Sequence, residues 1–176
     1  MKHVTIIGTS LNGESKSQFL AEKFEAQLLK AGFSCERIDL RSLTLPFAGT
    51  AEGWGSPDAE KLKASVEKSS HIVFAVPIYC YDVNSAAKNV IELIGRAFTK
   101  KVVSFICSAG GTSSYMSVMG FANHLMLDFR SVIVPRFLYV EDSSWDDELV
   151  LKPEIEERMD LLLDDMNAIQ VVEANS

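Results

Sequence analysis

Blocks of apolar, β-branched residues alternate along the chain with blocks whose apolar positions recur every three or four residues. The first kind comprises "HVTIIG" (3–8), "SCERIDL" (34–40), "HIVFAV" (71–76), "KVVSFICS" (101–108) and "SVIVPRFLYV" (131–140). Between them, Leu20, Phe24 and Leu28 repeat at helical spacing, as do Ala87, Val90, Ile94 and Ala97, and then Ile155, Met159, Leu162, Met166 and Ile169. Stripes of that period bury one face of a helix. "SPDAEKLKASVEKS" opens like a helix, with Ser56 or Asp58 as cap and Pro57 just inside. Five strands, each followed by a helix, predict a parallel sheet covered on both faces. The first, third and fourth strands are apolar almost throughout and belong at its centre; the second alternates and belongs at an edge.

Composition narrows the picture. The 176 residues, 47% hydrophobic and 23% charged, suffice for one core, and no repeat or low-complexity linker divides them. One domain over residues 1–176 is expected. The longest apolar run, Ile72 to Tyr81, is too short to span a bilayer and contains Pro77, so no membrane partner is expected. "MKHVTIIG" passes straight into polar residues, without the length of a secretory signal, and a cytoplasmic location is expected. Cys35, Cys80 and Cys107 stand apart, and His3, His71 and His124 form no ligand-spaced cluster; neither a disulfide scaffold nor a metal site is expected. The net charge of −7 is uneven: residues 141–176, where twelve acids face only Lys152 and Arg158, carry −10, and the other 140 residues carry +3. An acidic end of this kind disfavours nucleic acid.

In a sheet of this class ligands bind beyond the carboxyl ends of the strands, near the point where strand order reverses. Attention falls on residues 8–17, 77–84 and 108–114. The first loop, "GTSLNGESKS", keeps Gly8, Gly13 and Ser15 at triphosphate-loop spacing but places Glu14 where the phosphate-binding lysine belongs. Triphosphate chemistry is thereby disfavoured, and no G-x-G-x-x-G fingerprint follows a strand. What remains is Ser10, Asn12, Ser15 and Ser17, with Thr9, at the start of a helix whose free N–H groups and dipole favour an anion. That set suits one terminal monophosphate, although a serine-rich turn that only caps a helix has the same composition. The second loop gives Pro77, Ile78, Tyr79, Cys80, Tyr81 and Asp82, an apolar and aromatic turn suited to a flat ring. Its alternative role is packing against a neighbouring loop or a second subunit. Asp82, Asn84 or Ser85 caps the next helix, and nothing near Cys80 activates its thiol. The third loop offers Ser108, Gly110, Gly111 and Thr112, where paired glycines let backbone approach a ligand. A phosphate cradle, a flat platform and a glycine wall together match FMN.

At these residues the sequence resembles the NADPH-dependent FMN reductase family of the flavodoxin-like superfamily, from residue 2 to about 170. Ser10, Ser15, Leu20 and Ala21 fit the family's first-loop pattern, Pro77, Tyr79, Lys88 and Asn89 its second, and Ser108, Gly110 and Gly111 its third. "LTLPFAG" after the second strand and "WDDE" before the last helix are smaller echoes. The resemblance implies a three-layer sandwich with strand order 2-1-3-4-5, FMN as cofactor, and NADPH or NADH as donor. It also implies a small-molecule electron acceptor and a homodimer or homotetramer formed through helix faces near residues 84–98. The flavin carries such chemistry, so no catalytic side chain is expected.

The chain departs from the family pattern where Asn12 replaces an arginine, Ser17 an asparagine, and Ile78, Cys80 and Tyr81 a glutamate, an asparagine and a glycine. Trading a charged phosphate contact for a neutral one weakens binding by about 1 kcal/mol. Two rival readings follow from these departures: an FMN-binding electron carrier or sensor, and a flavin-free interaction module. Trp54, in the loop 47–56, and Trp145 could line an acceptor pocket or pack at a subunit interface, and interface packing is expected.

Overall fold

A computed structural model describes residues 2–146 and 150–171. Along the chain run β1 (His3–Gly8), α1 (Lys16–Lys30), β2 (Ser34–Asp39), α2 (Pro57–Lys68), β3 (His71–Tyr79), β4 (Asp82–Val83) and α3 (Ser85–Ile94). There follow β5 (Val102–Ala109), α4 (Val118–Phe129), β6 (Val132–Ile133), β7 (Leu138–Glu141) and α5 (Pro153–Ala168). The sheet order is β2-β1-β3-β5-β6, with every one of these pairings parallel. Strand β7 pairs with β5 in parallel, and β4 folds back antiparallel on β3.

The expected parallel sheet with helices on both faces is present, with seven strands rather than five. Both additions have a local cause. The fifth predicted strand is interrupted around Pro135, which has no N–H for the ladder, and so contributes β6 and β7 as separate segments beside β5. The third continues past Val76 to Tyr79 and turns back at once into β4. The edge position of β2 and the central positions of β1, β3 and β5 are as expected.

Side chains alternate across the sheet into two separate cores. Phe24 and Leu28 of α1 and Met159 and Leu162 of α5 pack with Ile6, Val73 and Ile106 on one face. Leu62 of α2, Val90 of α3 and Phe121 of α4 pack with Ile7, Phe74 and Phe105 on the other. There Phe74 lies 5.4 Å from Phe98, 6.2 Å from Phe105 and 5.2 Å from Phe121, ring centre to ring centre. A fully buried ring of that kind contributes about 1.5–3 kcal/mol relative to exposure, so this cluster anchors the sheet that carries the loops. Of the two cap candidates for α2, Ser56 is the cap, accepting from the Ala59 N–H at 3.3 Å. Asp58 instead accepts from the Thr44 N–H at 2.8 Å.

His71, 2% exposed, ties this sheet to the end of α5. Its Nε2 faces the carbonyls of Met166 at 3.1 Å and Ile169 at 3.2 Å, so that nitrogen carries the proton. Nδ1 lies 2.9 Å from the Ser70 hydroxyl, which donates to it. Burial pushes the imidazole pKa below its ordinary value, against the raising effect of the two carbonyls.

Among the described residues no helix is long and apolar enough to cross a membrane. Among them, too, no three His, Cys, Asp or Glu side chains converge where a metal ion would sit.

Candidate active site

The chain moves outward from β1 to β2, then returns to place β3 on the other side of β1, so the loops after β1 and β3 diverge at the switch point. Across that gap the two loops are clasped. The Thr9 hydroxyl donates to Asn84 Oδ1 at 2.7 Å, and Asn84 Nδ2 donates to the Thr9 carbonyl at 2.7 Å. Both residues are buried, where satisfied polar pairs fix geometry strongly. Asn84 occupies the N-cap position of α3 but makes no capping bond with its side chain, because the amide serves Thr9 instead.

The first loop ends at Ser15, which caps α1 by accepting from the Gln18 N–H at 3.2 Å. The Ser15 and Ser17 hydroxyls lie 3.0 Å apart. Ser10 and Ser17 are each 1% exposed, and Ser10 Oγ accepts from the Asn12 N–H at 3.3 Å. Ser15 is half-buried and Asn12 exposed. Of the four phosphate candidates, then, two lie beneath the loop and two at its surface.

Three residues unforeseen in the sequence hold this loop from below. Gln18 Nε2 donates to the Gly8 carbonyl at 3.0 Å and to Asp39 Oδ1 at 3.0 Å, with the Ser10 carbonyl at 3.4 Å. Three acceptors around that nitrogen fix the amide's orientation. A Cβ on Gly8 would overlap the Gln18 head, so this close approach requires glycine. Arg41, just beyond β2, places Nε 3.0 and 2.9 Å from the two Asp39 oxygens. Its Nη1 reaches the carbonyls of Asn12 and Gly13, each at 3.0 Å. Burial alone would raise the Asp39 carboxyl, but the hydrogen bonds and charge of Arg41 hold it below the ordinary carboxylate range. No local pattern announces this set, because Arg41 and Asn12 are 29 residues apart.

In the second loop Pro77 and Ile78 are buried, whereas Tyr79, Cys80, Tyr81 and Asp82 are exposed. Tyr79 pairs with Asp82, and the two residues between them have positive φ, 52° at Cys80 and 62° at Tyr81. This is the pattern of a type I′ hairpin turn, a conformation that favours Asn-Gly. Asp82 Oδ1 accepts from the Val83 N–H at 2.7 Å rather than capping α3.

The third loop leaves β5 with Ser108 half-buried and Gly110, Gly111 and Thr112 exposed. Tyr139 of β7 donates its hydroxyl to the Gly111 carbonyl and lies 2.7 Å from the Ser114 hydroxyl, tethering the loop. Nearby, Lys16 at the start of α1 pairs with Asp142 at 2.7 Å and lies 5.7 Å from the centre of the Trp145 ring. Trp145 is buried and meets Phe19 edge-on at 5.6 Å, packing inside the chain rather than at a subunit interface. Trp54 is 64% exposed and lines a groove of about 760 Å³ with residues of α2, α3 and α4, none of them from these loops.

The edge fits FMN by a test internal to the chain. A Cβ at Gly13 or Gly111 would meet nothing within 4 Å, and at Gly110 only Asp142 Oδ2 at 3.9 Å. None of these three has a positive φ. The protein's own packing does not demand glycine there, so the backbone at these positions is open to close approach by a ligand.

A doubly wound parallel sheet with helices on both faces and loops gathered at its switch point is the flavodoxin-like fold. The sequence model of the NADPH-dependent FMN reductase family matches residues 1–146, and the chain belongs to that family. FMN and a reduced nicotinamide are the family's cofactor and donor. The chain is 26% identical over 165 residues to an NAD(P)H-dependent FAD/FMN reductase of Geobacillus thermodenitrificans, covering 90% of this chain and 88% of that protein. It is 29% identical over 114 residues to an FMN-dependent NADH:quinone oxidoreductase of Pseudoalteromonas atlantica, covering 55% and 56%. Among solved structures, the apo form of an NADH:FMN oxidoreductase superposes with a TM-score of 0.82 at 14% identity, over 98% of this chain and 92% of that one. An oxidoreductase from Corynebacterium diphtheriae does so with a TM-score of 0.80 at 18% identity, over 99% of each. The two structural likenesses bear on the fold.

Proposed function

We propose that this chain is a single FMN-binding domain that takes a hydride from NADPH or NADH and passes the electrons to free flavin, a quinone, an azo compound or a similar small acceptor. The observation that carries this reading is the convergence of the three loops on one edge of the sheet, with glycines at 13, 110 and 111 that the chain does not need for itself. When bound, FMN supplies the hydride-accepting centre and the onward release of electrons. The residues do the rest. Asn12, Ser15 and the free N–H groups of the first turn of α1 receive the phosphate, over a floor that includes Ser10 and Ser17. Pro77, Ile78, Tyr79, Cys80, Tyr81 and Asp82 form the platform for the ring. Ser108, Gly110, Gly111 and Thr112 frame its other side and leave room for the nicotinamide.

Three free cysteines suit a reducing, cytoplasmic compartment. A homodimer or homotetramer through α3 belongs to the same reading, supported by the groove in which Trp54 and Leu127 stand 64% and 73% exposed. Light scattering behind a sizing column tests that part, and a monomer removes it. The central test is a visible spectrum of the purified protein, followed by NADPH and NADH oxidation with FMN, a quinone and an azo dye. Flavin bands with turnover of at least one acceptor are expected. A colourless protein that FMN cannot titrate refutes the reading, and a flavoprotein that no nicotinamide reduces is a carrier instead.

A further inference from the structure

Position 12 carries no cation, yet a guanidinium reaches the same loop from elsewhere. Arg41 does not present a free charge there, because Asp39 neutralises it through both carboxylate oxygens. What it offers is direction. Its Nη1 draws in the carbonyls of Asn12 and Gly13. Among the described residues no peptide bond is cis, and in a trans peptide the N–H points opposite the carbonyl. The N–H groups of Gly13 and Glu14 are therefore turned away from Arg41. That of Glu14 finds Asn12 Oδ1 at 3.1 Å. That of Gly13 meets no acceptor among the described residues and lies on an exposed residue with open space beside it.

Asp39 joins this arrangement to the other end of the loop, since its Oδ1 also accepts from Gln18 Nε2, which holds the Gly8 and Ser10 carbonyls. One carboxylate thus sets the direction of carbonyls at four positions of the first loop, from Gly8 to Gly13. We infer that Arg41, held by Asp39, is the positioning residue of the phosphate cradle, aiming the Gly13 N–H at the anion without touching the anion itself. The inference rests on the reading that the first loop receives the phosphate of FMN.

The test compares FMN with riboflavin, which has the same ring and no phosphate. Flavin-free protein is titrated with each by fluorescence, as wild type, Arg41→Ala, Arg41→Lys and Asp39→Asn, with thermal midpoints recorded alongside. The ratio of FMN to riboflavin affinity is expected to fall about tenfold in Arg41→Ala, the equivalent of one good hydrogen bond, while riboflavin affinity stays put. Arg41→Lys is expected to do nearly as badly, because one ammonium nitrogen cannot stand both where Nε and Nη2 meet Asp39 and where Nη1 meets the two carbonyls. It also keeps the charge and the fold if the alanine variant does not. Asp39→Asn is expected to lower the ratio as well.

A lysine variant that matches wild type overturns the inference, since charge alone would then suffice. So does tighter FMN binding by Asp39→Asn, which would mean that the freed guanidinium binds phosphate directly. Equal loss for both flavins overturns it too, by reducing Arg41 to a general support. Wild type that binds the two flavins equally is a separate failure: it removes the phosphate cradle itself, and the proposed function with it.

Discussion

The turn between β3 and β4 holds two side chains in a conformation that L residues avoid, and relieving it has a measurable consequence. The perturbation is Tyr81→Gly. A left-handed conformation costs an L residue about 1–2 kcal/mol, and Tyr81 sits there at φ 62°. Glycine removes that cost but gives back about 0.5–1 kcal/mol through its freer unfolded chain. The ring is 67% exposed, so little buried area is surrendered with it. The two terms leave a gain of about 0–1.5 kcal/mol, so the variant is expected to be more stable by about 0.7 kcal/mol, a rise of about 1–3 °C in thermal midpoint for a chain of this size.

Tyr79→Gly is the matched control, because Tyr79 is 55% exposed and has no positive φ. Glycine in a strand destabilises, so the control should melt lower than wild type. Urea and thermal unfolding of the flavin-free proteins read both. If Tyr81→Gly is no more stable than wild type, or moves with Tyr79→Gly, the strain argument is wrong. FMN titration of the same variant measures the other side of the exchange. A platform residue retained in spite of its strain should leave weaker flavin binding when it goes.

Ser15→Asp should keep α1 intact, because aspartate is as good a cap as serine, yet its charge should expel the phosphate; unchanged flavin content after purification would remove the first-loop assignment. Gly111→Ala places a methyl in open space at φ −164°, so unfolding should be unaffected while FMN affinity falls; unaltered affinity would mean that the third loop does not face the flavin. The pH dependence of stability should carry the mark of His71. Its folded pKa lies below the ordinary 6.5, so the unfolded chain takes up that proton first as the pH falls. Stability is then full above about 6.5 and declines from there toward the lower folded value. Urea midpoints at pH 7.5 and 5.5 should show the decline in wild type and a smaller one in His71→Asn; identical slopes would assign it to other groups.

The sheet was legible because its central strands are buried on both faces, which leaves runs such as "HIVFAV" with no polar interruption. The hairpin was not, because Cys80 and Tyr81 carry none of the glycine or asparagine signal that marks a positive-φ turn. The three loops were legible as places, since parallel topology dictates where loops gather. How their hydroxyls are used was not. Ser10 and Ser15 belong to the same serine-rich string, yet one faces inward and the other the surface. Local composition holds no record of that difference. Asp39, Arg41 and Gln18 escaped for a related reason: apart from the local Arg41–Asp39 pair, their contacts span 8 to 29 residues, and the pairing of β1 with β2 is what brings Asp39 and Arg41 to the first loop.

The tight fit between Gly8 and the Gln18 amide makes the opening loop a part with two ends. A larger residue at position 8 becomes admissible only when the side chain at position 18 is shortened or swings away, and either change gives up its bond to Asp39 at the end of the second strand. Any attempt to graft this turn onto a foreign scaffold, or to recombine it between homologues, must therefore carry both positions in the same exchanged segment. A crossover placed between them should yield chimaeras that fold but hold no coenzyme.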